Sequence, residues 1–257
     1  GAGQGAPLID RTGRGLLPTE AALALKPHAD SLASASAAFL RTAEGRAGEV
    51  GGTVRISASE VVGVEHLPVV LAGLRAEHPD LTVELVLSNA GDNLLQREAD
   101  IAVRMFRPTQ NALVAKRVGA FELGLYARRD YLARRGVPRS LDQLGDHDLI
   151  GYDVETPALR AFLQPWPVLT RSAMALRVDS DIAQLAAIRA GFGVGVCQAV
   201  IAARDHELRR VLPKAFAPEL ETWVVMHEDM RTNAACRIVS AALVADLAAL
   251  CVRARSS

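Results

Sequence analysis

Three short β-rich runs separated by helix-patterned stretches narrow the folds open to this chain. Residues 53–57 (TVRIS) alternate, residues 81–87 (LTVELVL) favour a strand, and residues 101–104 (IAVR) form a third run. Between the first two, Leu67, Val70, Leu71 and Leu74 recur at helical spacing, with Pro68 tolerable only in the first turn. Between the second and third, residues 93–98 predict a short helix. Strands joined in this order are parallel with right-handed crossovers, which gives a doubly wound sheet.

The pattern then repeats. Residues 114–127 (VAKRVGAFELGLYA) hold two strand-like runs broken at Gly119 and Ala120, where the chain is expected to pass into a second lobe. Residues 131–148 are helical or looped, with a start signal at Ser140-Leu141-Asp142. Residues 175–179 predict a strand, 181–190 a helix closed by Gly191, 193–197 a strand and 198–204 a helix. Residues 221–227 (ETWVVMH) read as a strand returning to the first lobe. Residues 233–253 read as a capped helix with Cys236, Val239, Leu243, Leu247 and Leu250 on one face. Two α/β lobes with two crossings enclose a cleft.

Ahead of the lobes lies a different text. Thr19 is a good N-cap and Glu20 suits the first turn, after which Leu25, Ala29, Leu32, Ser36 and Phe39 recur at 4-3-4-3 spacing. The helix is expected to reach about Glu44, to bend at Pro27, and to end in the glycine-rich linker GRAGEVGG at 45–52. A helix of this length on a linker has nothing in its own lobe to pack against, so the seam of Leu25, Ala29, Leu32 and Phe39 predicts a partner helix from a second chain, with docking within the same chain as the alternative. Residues 8–17 alternate weakly around Gly13 and Gly15, flanked by Arg11 and Arg14, and predict a two-stranded wing.

At 257 residues the chain is long enough for two lobes plus a connecting element. Its 29 Lys and Arg balance 29 Asp and Glu, so no bulk basic signature marks it for coating nucleic acid or an anionic membrane. Cys197, Cys236 and Cys251 lie far apart without metal-binding spacing and read as buried thiols in a reducing compartment. No uninterrupted apolar run approaches the ~18 residues of a membrane span, and residues 1–7 lack the regions of a signal peptide.

In an open α/β sheet, ligands sit beyond the carboxyl ends of the strands, where helix starts offer backbone NH groups. That selects Ser57, Ala58 and Ser59 after the first strand, Ser88 and Asn89 after the second, Arg104 and Met105 after the third, and Ser180 and Asp181 in the second lobe. Arg104 pairs bidentately with a ligand carboxylate if it faces the cleft, making the effector a small organic anion; otherwise it forms a surface ion pair. Phe106, Phe121 and Tyr152 either stack on an aromatic ligand or serve structure. Catalytic arrangements are not found. Ser57 and Ser59 lack the flanking glycines of GxSxG, and no histidine pair has metal-ligand spacing. GFGVG at 191–195 has Val196 where a dinucleotide loop needs glycine. No enzyme, metal or cofactor is expected.

The stretch LIDRTGRGLLPTEAA resembles the wing-to-linker junction of LysR-type transcriptional regulators, matching at Leu8, Arg11, Arg14, Gly15, Thr19 and Ala21 and departing at Ile9, Pro18 and Ala22. The resemblance continues through LPVVLAGLRAEHPDLTVEL and EADIAVR. It implies two doubly wound Rossmann-like lobes, periplasmic-binding-protein-like, preceded by a long linker helix. The implied division is a wing remnant of the DNA-binding domain at 1–18, a linker and dimerisation helix at 19–45, lobe I at 46–120 and 226–257, and lobe II at 121–225. It further implies a small-molecule effector in the interlobe cleft, touching Ser57 or Ser59, Ser88, Arg104 and Ser180. Arg11 and Arg14 are expected to contact promoter DNA, beside a winged helix-turn-helix ahead of Leu8. A cytoplasmic homodimer or homotetramer with no membrane partner follows. Peroxide-sensing relatives use two nearby second-lobe cysteines, whereas Cys197 stands alone there, so no disulfide switch is expected. The competing assignment is a periplasmic-type solute-binding protein of a transporter, which shares the cleft but has no use for RTGRG and a helix seam.

Overall fold

The computed structural model describes residues 7–12, 15–44, 51–89, 99–107 and 113–254. The elements in chain order are β1 (Ile9–Thr12), β2 (Gly15–Pro18), α1 (Glu20–Glu44), β3 (Gly52–Ala58), α2 (Glu60–Glu65), α3 (Leu67–Glu77), β4 (Leu81–Leu87), β5 (Ile101–Arg104), β6 (Leu113–Arg128), and α4 (Arg129–Arg135). They continue as β7 (Leu149–Gly151), α5 (Pro157–Leu163), β8 (Met174–Arg177), α6 (Asp181–Arg189), β9 (Gly195–Gln198), α7 (Ala199–Ala202), β10 (Leu208–Val211), β11 (Glu219–His227) and α8 (Ala234–Ala254). The expected helix at 93–98, the linker at 45–50 and Arg14 lie outside the described residues.

The expected two-stranded hairpin forms. β1 and β2 pair antiparallel, Ile9 opposite Pro18 and Thr12 opposite Gly15. Thr19 then starts α1. Its Oγ1 accepts from the Ala22 amide at 3.2 Å and donates to the Pro7 carbonyl at 2.7 Å, so one hydroxyl caps the helix and ties it to the wing. α1 continues through Pro27. Along its seam Leu25 is 51% exposed and Leu32 74%, an apolar stripe that this chain does not cover. The Phe39 side chain lies outside the described residues.

The main sheet has the order β10-β6-β11-β5-β3-β4, with β9 also pairing β6. β3 lies parallel between β4 and β5, as the crossover pattern requires. Val54, Ile56 and Ala58 point from β3 into a core with Leu67, Val70 and Leu74 of α3 and Val239, Leu243 and Leu247 of α8. Burying a side chain of this size stabilises the fold by about 1.5–3 kcal/mol, so this layer dominates the first lobe. The second lobe builds its own core around Leu125, Leu144, Leu149 and Phe216. The first core does not stop at the lobe boundary, because Leu185 and Ile188 of α6 and Val200 and Ile201 of α7 belong to it.

One expectation about the crossings needs correction. β6 does not break at Gly119 and Ala120; it runs unbroken through both, and the register against β11 shifts there instead, with Gly119 opposite Thr222 and Arg117 opposite Trp223. Val118 is the extra residue of a bulge, which bends a strand without ending it. Gly119 has φ of 156°, and a Cβ there would stand 2.6 Å from Cys251 Cβ, so only glycine lets α8 close on β6. α8 is long and apolar enough overall to cross a membrane, although Arg237 and Asp246 interrupt it, so no uninterrupted apolar run of that length is present there. Its Cys236, Val239, Leu243 and Leu247 are buried against the sheet, the place of a core helix.

The second lobe is less regular than the first. β7 and β8 pair in parallel, and Leu149 bridges Val194, which links them to the β9-β6-β10 side. The GFGVG stretch closes α6 and enters β9, as read from the sequence. Gly193 is obligatory, since a Cβ there would fall 1.8 Å from the Asp148 carbonyl. β7, β10, α2 and α5 were not anticipated.

Candidate functional site

The short helix α2 is held at both ends by the opposite lobe. Ser59 caps it without a side-chain bond, and the backbone amide of the next residue, Glu60, donates to Asn89 Oδ1 at 3.1 Å. The Glu60 carboxylate accepts from Ser180 Oγ at 2.8 Å. Asn89 Nδ2 donates to Asp181 at 3.0 Å, and the Tyr152 hydroxyl donates to the other Asp181 oxygen. At the far end, Arg189 of α6 holds the Glu65 carboxylate and Arg204 Nη1 donates to the Glu65 carbonyl at 3.0 Å. His66, just beyond, meets Gln198 Oε1 at 2.8 Å.

The expected ligand positions therefore fall into three groups. Ser59, Asn89, Ser180 and Asp181 come together, and the last three bond across the lobe boundary. Ser57 and Arg104 form a second, buried pair. Each is 2% exposed, and Arg104 Nη2 donates to Ser57 Oγ at 2.9 Å while Nη1 reaches the Ser57 carbonyl at 3.2 Å and its neighbour Val103 carbonyl at 3.1 Å. The remainder serve the scaffold. Ala58 is fully buried in the core and its carbonyl accepts from the Ser88 amide at 2.8 Å. Met105 packs against the same core, its sulfur 3.5 Å from Thr222 Oγ1.

Arg104 is not in the surface ion pair weighed as its alternative. Among the described residues it pairs with no carboxylate, and its Nε is buried without a hydrogen-bond partner. Burial pushes its pKa down from the usual guanidinium range. The acidic side of the site is similarly uncompensated, since neither Glu60 nor Asp181 meets a basic side chain among the described residues. Burial, and then the nearby Glu60 carboxylate, hold the Asp181 carboxyl above the usual range, while the bonds from Tyr152 and Asn89 oppose this. Burial and Asp181 likewise raise the Tyr152 phenol. The site thus offers one buried cation and, at the lobe boundary, two acceptor carboxylates.

Of the aromatic candidates, Phe121 is fully buried and stacks on His66 with centroids 5.0 Å apart, and Tyr152 is committed to Asp181. Phe106 is 46% exposed. All three cysteines are buried and remain thiols; burial pushes Cys197 up to about 12, away from thiolate chemistry. Sequence reasoning missed Glu60, Glu65, His66, Arg189 and Gln198. Their bonds to the other lobe join residues 120 to 139 apart, and no local pattern marks them.

Two α/β lobes thus meet at a boundary that side-chain hydrogen bonds cross. Residues 47–248 match the LysR substrate binding domain, and the chain belongs to that family. A transcriptional regulator of the HTH type from Xanthomonas campestris pv. campestris is 28% identical over 147 residues, covering 56% of this chain and 42% of that protein. The chain thus spans less than half the length of that relative. The CrgA regulatory domain from Neisseria meningitidis has a TM-score of 0.68 at 21% identity, covering 77% of this chain and 99% of that one. The full-length Vibrio cholerae virulence activator AphB has a TM-score of 0.67 at 20% identity, over 93% of this chain and 83% of that one. At these identities the two likenesses show the fold alone.

Proposed function

We propose that this chain is the sensing and coupling part of a cytoplasmic LysR-type transcriptional regulator. A small molecule binds between the lobes and alters how a winged helix-turn-helix engages promoter DNA. Residues 1–18 would be the wing of the DNA reader, 19–45 the dimerising linker, 46–120 with 226–257 the first sensing lobe and 121–225 the second. Arg11, which is exposed, and Arg14 are suited to phosphate or minor-groove contact. The observation that carries the proposal is the meeting of Asn89 with Asp181 and of Glu60 with Ser180 across the lobe boundary, in a chain of this family. An effector that binds there shifts regulation only through unequal affinity for two lobe arrangements.

The charge layout also favours one effector class. A buried guanidinium without a counter-ion is costly, and a ligand carboxylate would supply one. Glu60 and Asp181 repel a bare anion and welcome hydrogen-bond donors. The effector is accordingly a small carboxylate carrying hydroxyl or amino groups. A thermal-shift panel of plain, hydroxy and amino carboxylates tests this. A ligand at about one hundred times its Kd adds about 2.7 kcal/mol, which moves Tm by about 5–10 °C in a chain of this size. Stabilisation by hydroxy or amino acids above their plain counterparts supports the assignment, and a flat response across the panel counts against it.

A further inference from the structure

His66 lies in the seam between the lobes, and its surroundings suit one protonation state. It is 2% exposed, at the α2–α3 junction, with its ring stacked on Phe121 of β6 at 5.0 Å and 15°. With Gln198 Oε1 as acceptor at 2.8 Å, the ring carries its proton on Nε2. Nδ1 is then a bare lone pair, buried and without a hydrogen-bond partner. Gln198 ends β9 as the N-cap of α7 in the second lobe and is itself buried, so the bond joins the lobes directly.

We propose that His66 is a proton-responsive catch between the two lobes, closed while its ring is neutral and loosened when Nδ1 takes up a proton. A second proton would create a buried N–H without an acceptor and place a cation in an apolar setting, both of which favour a looser seam where water reaches the ring. The charged groups around the ring do not cancel this cost. Glu65 would stabilise imidazolium, but its carboxylate is already held by Arg189 of α6, which also lies 3.7 Å from Asp205. Arg204, after α7, opposes protonation, and Cys197 of β9 is a neutral thiol. Burial, the largest cause, holds His66 below the ordinary histidine value of 6.5.

The sign follows from linkage. The closed seam prefers neutral His66, so closure is fully favoured above about pH 6.5 and weakens as pH falls below that towards the lowered pKa. This regulation rests on the two-lobed sensing role proposed above. Its test requires neither effector nor DNA, so the two can fail separately.

Hydrogen exchange at about pH 7.5 and 5.5 measures it, with peptides from 60–66 and 195–203 expressed relative to a peptide from α8, which corrects for the intrinsic pH dependence. In the wild-type chain both seam peptides should exchange faster at the lower pH by up to about tenfold, because that pH is one unit below the ordinary histidine value. In His66→Gln, which keeps a donor for Gln198 but does not titrate, the ratio should be the same at both pH values. Seam protection that holds in the wild type at the lower pH, or falls equally in the variant, overturns the proposal. Should the variant fail to fold, ring nitrogen resonances of the wild type decide. A neutral His66 at pH 7.5 that protonates in step with faster seam exchange supports the catch, and protonation without faster exchange overturns it.

Discussion

Glu65 turns both carboxylate oxygens to a single guanidinium, Arg189 Nη1 at 2.6 Å and Nη2 at 3.1 Å, and so fastens the end of α2 to α6. The hydrogen bond from Arg189 is the main reason the Glu65 carboxyl sits below the usual range. Glu65→Gln should lower unfolding stability at pH 7 by about 1–2 kcal/mol, discounted for solvent screening because the Arg189 side chain is 38% exposed. A depressed carboxyl pKa stabilises above the ordinary value of about 4.5 and loses that contribution as pH falls through the folded one. Urea unfolding of the two proteins should therefore differ at pH 7 and converge as pH falls from about 4.5 through the lowered folded pKa. Equal midpoints at pH 7 would show that the pair does not fasten the lobes.

Arg104 should matter little to stability. Replacing a whole buried ion pair with apolar side chains of similar volume is often neutral or stabilising by about 1–4 kcal/mol, and a cation without a counter-ion has no pairing energy to lose. Arg104→Met is thus expected to keep or raise the unfolding free energy. A loss of more than about 2 kcal/mol would instead make the Arg104 bonds to Ser57 and Val103 a structural support.

Gly119→Ala should destabilise, because the new methyl would meet Cys251 Cβ at 2.6 Å and Sγ at 2.8 Å. Overpacking of this kind costs about 1–3 kcal/mol, with strain at positive φ adding to it. Thermal unfolding measures the loss, and an unchanged Tm would mean that α8 can shift outward at no cost.

Much of the first lobe was legible because β3, α3, β4 and α8 carry their own periodicity. Val70 and Leu74, or Cys236, Val239, Leu243 and Leu247, repeat at the spacing of the face they bury. β7 and β10 are three and four residues long, too short to show a period. α5 has its Thr156 cap and Pro157 start but buries no residue, so no apolar face betrays it. The ligand-type positions Asn89, Ser180 and Asp181 followed from strand ends and helix starts. Their direct bonds across the lobe boundary did not, since Asn89 and Asp181 stand 92 residues apart. The same limit hid the burial of Arg104, because a charged residue ending a strand reads as exposed until the opposite face is known.

The exposed seam of α1 leads to a prediction about assembly. Leu25 and Leu32 point away from this chain's own core. Leu32→Asp should shift the chain towards monomer in sedimentation velocity, while the unfolding of the lobes stays unchanged. A variant that keeps the wild-type mass would assign assembly to another surface.

The central claim is that a small carboxylate binds where the two lobes meet, reading Arg104 from one side and Ser180 from the other. Isothermal titration of the strongest stabiliser from the carboxylate panel tests it directly, using the wild type, Arg104→Gln and Ser180→Ala. One site per chain is expected, with affinity lowered at least about tenfold, or about 1.4 kcal/mol, in each variant. Wild-type affinity retained in both variants would contradict the claim.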